Sequence, residues 1–123
     1  MTIEAMHHYD ANHSPSSARE VVPYIMGFLA PDSVVDVGCG RAQWLHTFKE
    51  FGVSRVLGLD GGHVPKEIRL ICEDEFLECD LEQLAIHPPK FDLAISLEVA
   101  EHLREANAYQ FVEFLTTLSD RIV

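Results

Sequence analysis

The sequence has few basic residues and no basic cluster. Nine lysines and arginines stand against twenty aspartates and glutamates, which gives a formal net charge of −11. An acidic domain is repelled by phosphate backbones, and no lysine- or arginine-rich run is present to overcome that repulsion. The composition therefore disfavours a nucleic-acid partner, whereas a positively charged small ligand would be attracted.

Long hydrophobic runs are also lacking, and so is a disulfide framework. No stretch approaches the roughly 18 apolar residues of a membrane span, and the opening MTIEAMHHYD lacks the basic start and apolar stretch of a signal peptide. The three cysteines are an odd number without scaffold spacing, so a reducing compartment is the simplest account. We expect a cytoplasmic protein with no membrane partner.

At 123 residues the chain can form one domain with a single core. Residues 1–32 are predicted to form an N-terminal segment and helix, and residues 33–123 the domain itself. Ser17 to Glu20 have the pattern of a capping box, which predicts that the helix begins there. Pro23 would then fall near the first turn, where proline is tolerated.

From residue 33 onwards, predicted strands alternate with predicted helices. After a first strand, strands are expected over 55–60, 75–79 and 92–97, and helices over 41–51, 65–72 and 104–119. This alternation predicts an α/β fold with a doubly wound, mainly parallel sheet. Ligands of such sheets bind outside the carboxyl ends of the strands, where Asp36, Asp60, Asp80 and Glu98 would gather.

The last three residues, Arg121, Ile122 and Val123, are predicted to begin a fifth strand. The sheet is therefore expected to be truncated before that strand is complete. Because an open sheet edge promotes association, we expect an oligomer contact or another partner to cover it.

A glycine turn follows the first strand, in the sequence VVDVGCGRA from Val34 to Ala42. Gly38 and Gly40 allow a sharp turn and the close approach of a ligand, and the helix after them offers unpaired N–H groups. Dinucleotide-binding proteins share this layout, but Gln43 stands where their third glycine would be. A carboxylate at Asp36 would repel a pyrophosphate and suits a cationic amine.

This pattern resembles the first motif, hhDhGCG, of the class I S-adenosylmethionine-dependent methyltransferases. The resemblance continues in order over residues 33–123. Asp60 matches the carboxylate that binds the ribose hydroxyls, and the segment FLECDL places Asp80 where it would accept from the adenine amino group. The backbone beside Leu81 would meet the adenine ring, and FDLAISLEV from Phe91 looks like the fourth strand.

The resemblance implies a Rossmann-like fold, S-adenosylmethionine as cofactor, S-adenosylhomocysteine as product, and methyl transfer to a small-molecule acceptor. The residues expected to contact the cofactor are Asp36, Gly38, Cys39, Gly40, Asp60, Gly61, Asp80, Leu81 and Leu97. Cys39 lies beside a helix N-terminus, where a thiolate would be stabilised, but its place in the motif indicates a packing role rather than a catalytic one.

Glu98, Glu101 and His102 follow the fourth strand at positions i, i+3 and i+4, so they can share one helical face. Two carboxylates and an imidazole could hold a divalent cation. The interpretation that we favour is that they border the cofactor and acceptor cleft without a metal. His102 is then the candidate general base.

Three other functions stay open at this point. A non-catalytic S-adenosylmethionine-binding module would bind the cofactor without turnover. An NAD(P)-dependent oxidoreductase is disfavoured by Asp36 and Gln43. An interaction domain without a cofactor would leave the ordered acidic strand ends unexplained.

Overall fold

The computed structural model describes residues 15–97, 99 and 102–123. Its centre is a parallel sheet of four strands: β1 (Ser33–Val37), β2 (Arg55–Asp60), β3 (Phe76–Glu78) and β4 (Leu93–Ile95). The spatial order is β3-β2-β1-β4. The predicted α/β fold with a doubly wound parallel sheet is confirmed.

The register of the sheet brings the carboxyl ends of the strands together. Asp36 of β1 pairs with Gly58 of β2, and Asp60 at the end of β2 pairs with Glu78 at the end of β3. Paired residues of parallel strands point to the same face of a sheet, and faces alternate along each strand. Asp36, Asp60 and Glu78 therefore lie on one face at one edge.

Two hydrophobic clusters cover the two faces of the sheet. Helices α1 (Pro15–Leu29) and α2 (Gln43–Glu50) cover the face of Val34, and α3 (Glu105–Leu118) covers the face of Val35. All five residues of β1 are buried, because helices lie on both sides of it. The first cluster includes Phe48 and the second includes Phe111, each almost fully buried. Burial of such a side chain contributes about 1.5–3 kcal/mol.

Helix α1 begins earlier than the sequence predicts. It starts at Pro15 rather than at Ser17, so the predicted capping-box start is wrong and Pro23 lies in the helix interior. Proline is favoured in the first turn of a helix because its missing N–H has no partner there in any case. Ala18 and Val22 are fully buried in the first cluster, which indicates that packing keeps this helix intact around Pro23.

The other elements lie close to their predicted positions, with one difference in type. Only a 3-10 turn, Lys66–Ile68, forms within the helix predicted over 65–72, and β3 and β4 are shorter than predicted. Within the described parts of the chain, no helix combines the length and the apolar character needed to cross a membrane.

Residues 121–123 pair with β4 in the place predicted for a fifth strand, through an isolated bridge. The N–H of Ala94 donates to the carbonyl of Arg121 at 2.9 Å, and the N–H of Val123 donates to the carbonyl of Ala94 at 2.9 Å. Ile122 thereby forms a parallel bridge with Ala94. The outer side chains of this segment, Ile122 and Val123, are 41% and 50% exposed.

Two glycines provide a matched test of the packing. A Cβ at Gly58 would lie 2.6 Å from Cys39 Sγ, whereas a Cβ at Gly27 would meet nothing within 4 Å. We expect Gly58→Ala to lower the free energy of unfolding by about 1–3 kcal/mol through overpacking. The control Gly27→Ala should leave it unchanged or raise it by up to about 1 kcal/mol, since alanine favours the helix.

Urea denaturation measures both variants. Adding Cys39→Ala to Gly58→Ala should recover part of the loss, because it removes the sulfur that the new methyl group meets. Equal unfolding midpoints for Gly58→Ala and Gly27→Ala would contradict the packing described.

Candidate functional site

The turn after β1 is built on two glycines with left-handed backbone angles. Gly38 has φ of 86° and Gly40 has φ of 58°, values that residues with a Cβ rarely adopt. A Cβ on Gly38 would also overlap Cγ2 of Val99. The N–H groups of Gly38 and Cys39 both donate to the carbonyl of Leu59, at 2.7 and 3.2 Å. The turn is thus held against the end of β2.

Helix α2 leaves this turn with an unusual cap. Ala42 is the N-cap residue, has φ of 67° and makes no side-chain capping hydrogen bond. A helix N-terminus without a side-chain cap carries unsatisfied N–H groups and a partial positive charge. The N–H groups of the turn itself are bonded to Leu59 and Asp60, so the backbone donors at the carboxyl edge of the sheet come from the first turn of α2.

Asp60 joins the glycine turn to the end of β2. Its Oδ2 accepts from the N–H of Gly40 at 2.7 Å, and its Oδ1 accepts from the N–H of Gly61 at 2.8 Å. The residue is only 5% exposed. Two backbone donors fix this carboxylate, and each of its oxygens retains a further lone pair for another donor.

Asp36 is the most perturbed acid of the site. It is buried beneath the glycine turn, and its Oδ1 has no hydrogen-bond partner. Burial, together with the nearby charge of Asp60, raises the pKa of Asp36 from 3.8 to about 8. A buried carboxylate in this position takes up a proton unless a cation compensates its charge. The site is therefore suited to a positively charged group beside Asp36.

Cys39 is a packing residue. Its side chain is buried against Gly58, and its pKa is raised by burial and further by the charges of Asp36 and Asp60. The expectation that the helix N-terminus would stabilise a thiolate here is wrong, because burial and two carboxylates outweigh the helix dipole. The packing role inferred from the motif agrees with this arrangement.

A cavity of about 460 Å³ opens beside Asp60, between the ends of β2 and β3. Four residues predicted as contacts line it, namely Asp60, Gly61, Asp80 and Leu81. Four lining residues were not predicted, namely Gly62, His63, Glu78 and Cys79. The period-two pattern of β3 could have indicated Glu78, since it shares a strand face with the half-buried Phe76. The position of the Gly62–His63 loop has no comparable signal in the sequence.

The acids of the cavity outnumber its bases. Asp60, Glu78 and Asp80 are carboxylates, and no lysine or arginine belongs to the eight lining residues. His63 is the basic side chain, 57% exposed, with Nδ1 3.9 Å from Asp60 Oδ1. Oδ1 of Asp80 accepts from the N–H of Glu82 at 2.9 Å. The field in the cavity is thus negative and repels anionic ligands.

The remaining predicted residues lie outside this lining. Asp36, Gly38, Cys39 and Gly40 form the adjoining glycine turn, and Leu97 is half-buried after β4. His102 is exposed, and its N–H donates to the carbonyl of Val99 at 2.9 Å. Glu98 and Glu101 fall outside the described residues, so the interpretation of this segment as a metal site or a cleft border stays a prediction.

One cluster of possible cation ligands occurs in the described part of the chain. It consists of Cys72, Asp74 and Glu75, whose ligand atoms lie within 4.8 Å of one another. Glu75 Oε1 already accepts from Lys49 Nζ and from the N–H of Cys72, each at 2.9 Å. None of the three residues lines the cavity. The hydrogen bonds of Glu75 belong to the local structure around Cys72 and Lys49.

Comparisons with known proteins show the family and the fold. Residues 35–118 match the family described as Methyltransferase domain. A SAM-dependent methyltransferase from Archaeoglobus fulgidus superposes with a TM-score of 0.67 at 21% identity, covering 94% of this chain and 53% of its own. The magnesium protoporphyrin IX methyltransferase of Synechocystis PCC 6803, with bound SAH, has a TM-score of 0.64 at 24% identity, covering 88% and 52%.

The PH0226 protein from Pyrococcus horikoshii OT3 gives a TM-score of 0.70 at 15% identity, covering 97% of this chain and 62% of its own. The chain therefore spans about half to just under two thirds of the length of these three structures. At such identities the likeness establishes the fold. No curated protein matches the sequence.

The raised pKa of Asp36 predicts that the stability of the ligand-free protein depends on pH. Because its native pKa of about 8 lies above the ordinary 3.8, the native state holds the proton more tightly than the unfolded state. Its contribution to stability is complete below about pH 4 and is lost as pH rises through about 8. We expect the melting temperature of the wild type to fall, relative to that of Asp36→Asn, between pH 6 and 8.5.

Thermal unfolding of the ligand-free protein across that range measures the difference. Glu113→Gln, a change at an exposed residue of α3, serves as the control for loss of a surface carboxylate and should follow the wild type. A constant difference between wild type and Asp36→Asn at every pH would show that Asp36 does not titrate in this range.

Proposed function

Because this chain belongs to the methyltransferase-domain family and has the class I fold, we propose that it binds S-adenosylmethionine and transfers its methyl group to a small-molecule acceptor. The observation that carries the proposal is the buried Oδ1 of Asp36, which has no hydrogen-bond partner. A cationic donor would satisfy this oxygen and its charge, and the ammonium group of the cofactor provides one. The residues present therefore fit the cofactor.

Asp36 and the glycine turn would hold the amino-acid end. An ammonium group beside Asp36 supplies both a donor and a positive charge, which favours the ionised carboxylate. Gly38, with a left-handed backbone, permits the sharp turn that brings the first turn of α2 to this end of the sheet. Since Asp36 has a pKa of about 8 without ligand, binding near neutral pH should release a proton from it.

The cavity between β2 and β3 would hold the adenosyl end. The lone pairs of Asp60 that are not used by Gly40 and Gly61 can accept from the two ribose hydroxyls. Asp80 has one oxygen bonded to the N–H of Glu82, and its other oxygen can accept from the adenine amino group. The half-buried Leu81 offers an apolar surface to the ring.

The cofactor, when bound, supplies an electrophilic methyl group on a sulfonium. The chain contributes position: it holds one reactant at the carboxyl edge of a rigid sheet, and orientation of this kind accounts for about 7–11 kcal/mol in intramolecular models. We further propose His102 as the base that takes the proton of the acceptor, since imidazole is suited to proton transfer near neutral pH.

A non-catalytic S-adenosylmethionine-binding module is the second candidate. The observation in its favour is that His102 does not line the cavity. The residues that line it have proposed roles in binding and none in catalysis. This function predicts binding without transfer to any acceptor. The two candidates are therefore separated by turnover and not by affinity.

Calorimetric titration with S-adenosylhomocysteine, run beside NADH, tests the proposed ligand. We expect micromolar affinity for S-adenosylhomocysteine and no measurable binding of NADH. Asp36→Asn should weaken the affinity at least tenfold, because it removes the charge that faces the ammonium group, whereas Glu113→Gln should not change it. Titrations at pH 7 in buffers of different ionisation enthalpy should show proton release for the wild type only.

Two outcomes would count against the cofactor. One is a folded wild type that binds neither ligand, and the other is equal affinity for NADH. If Asp36→Asn retained full affinity for S-adenosylhomocysteine, the role proposed for Asp36 would be wrong, but the proposed cofactor would still stand.

His102→Gln tests the assignment of the base. We expect its affinity for S-adenosylhomocysteine to stay within twofold of the wild type, because His102 does not line the cavity. Transfer of labelled methyl groups from S-adenosylmethionine to a panel of phenols, carboxylic acids, amines and thiols should fall at least tenfold. A wild type that binds the cofactor and methylates nothing supports the non-catalytic module, and an unimpaired His102→Gln excludes this histidine as the base.

A further inference from the structure

The function proposed above assigns no role to one carboxylate of the cavity, that of Glu78. Asp60 accepts from two backbone N–H groups and Asp80 accepts from a third. Glu78 is exposed at the end of β3, and it has no hydrogen bond or ion pair with the described residues. Its side chain nevertheless lines the cavity with the other two acids.

The sheet register places Glu78 beside the carboxylate proposed to bind ribose. Asp60 and Glu78 are register partners in the parallel pair of β2 and β3, so their side chains leave the same face of neighbouring strands, which lie about 4.8 Å apart. Two acidic side chains thus line the same part of the cavity wall. No lysine or arginine among the lining residues balances them.

Gly62 determines where the Glu78 carboxylate lies. A Cβ at Gly62 would overlap Oε1 of Glu78, so the carboxylate packs against the backbone of the turn that follows Asp60. The absence of a side chain at Gly62 lets the acid form part of the wall next to Asp60. The negative charge of Glu78 therefore lies next to the proposed ribose position.

We propose that Glu78 is a specificity-determining residue that restricts the cavity to adenosyl ligands whose ribose carries no phosphate. A phosphate monoester adds a charge of about −1.5 to −2 at pH 7, and on the 2′ or 3′ oxygen it would lie close to Asp60 and Glu78 together. Like charges on the same wall of the cavity repel, and the repulsion of exposed charges is weakened by salt. A free ribose adds no charge and is accepted. The inference rests on the proposed function, because it concerns the adenosyl half of the same site.

Binding of adenosine and of adenosine 2′- and 3′-monophosphate tests the proposal. Each is titrated against the full chain, and selectivity is the Kd of the phosphate divided by the Kd of adenosine. We expect a selectivity of at least tenfold in the wild type. Glu78→Gln should reduce it at least threefold while leaving the affinity for S-adenosylhomocysteine within threefold of the wild type.

Two control variants distinguish the effect of the charge at position 78 from the effects of its side-chain length and of its position in the cavity. Glu78→Asp keeps the charge and should keep the selectivity within twofold. Glu73→Gln removes an exposed carboxylate that pairs with Lys66 and does not line the cavity, and it should have no effect. Addition of 0.5 M salt should reduce the selectivity of the wild type, since exposed charges are screened at that ionic strength.

The outcomes distinguish this inference from the function on which it rests. Binding of S-adenosylhomocysteine with unchanged selectivity in Glu78→Gln would leave the function in place and assign the selectivity to Asp60 alone. Loss of S-adenosylhomocysteine binding in Glu78→Gln would make Glu78 a residue that holds the ligand and overturn the proposal. A folded wild type that binds neither S-adenosylhomocysteine nor adenosine would overturn both.

Discussion

The hydrogen bond from the N–H of Gly40 to Oδ2 of Asp60, at 2.7 Å, is the interaction on which the site depends. It fixes the turn after β1 to the end of β2, and the turn in turn sets the direction of α2. The same carboxylate accepts from Gly61, so it also shapes the loop that leads into the cavity. One buried acid thereby holds the glycine turn and the cavity in a single geometry.

A second acid lies in unfavourable surroundings nearby. Asp36 is buried, has an oxygen without a partner and is repelled by Asp60. Hydrophobic packing on both faces of the sheet must offset this penalty in the absence of ligand. Sites that bind or react are where such unsatisfied groups concentrate. Under the proposed function the penalty is removed by the cation of the cofactor, so that stability and affinity both depend on this residue.

The sequence predicts the position of some residues of the site and misses others, because these positions depend on different features of the fold. The position of Asp36, Asp60 and Asp80 at one end of the sheet can be predicted from the sequence, because a parallel sheet brings the carboxyl ends of its strands to one edge. Glu78, Gly62 and His63 were not found, because their place in the cavity depends on strand register and on the path of one loop. The pKa of Cys39 could not be derived from its position beside a helix, since burial and two neighbouring acids determine it. The capping-box pattern at Ser17 predicts the start of α1 two residues too late, because the helix already includes Pro15 in its first turn.

The alignment of β2 with β1 and β3 has a consequence beyond the site. The faces of a strand alternate with every residue, so a slip of β2 by one position would turn Asp60 away from Gly40 and move Glu78 out of register with it. The hydrophobic residues of β2 would exchange faces in the same step. Under the proposed function, ligand binding and correct strand pairing are therefore inseparable, and the ability to bind becomes a measure of whether the strands of the sheet are correctly aligned.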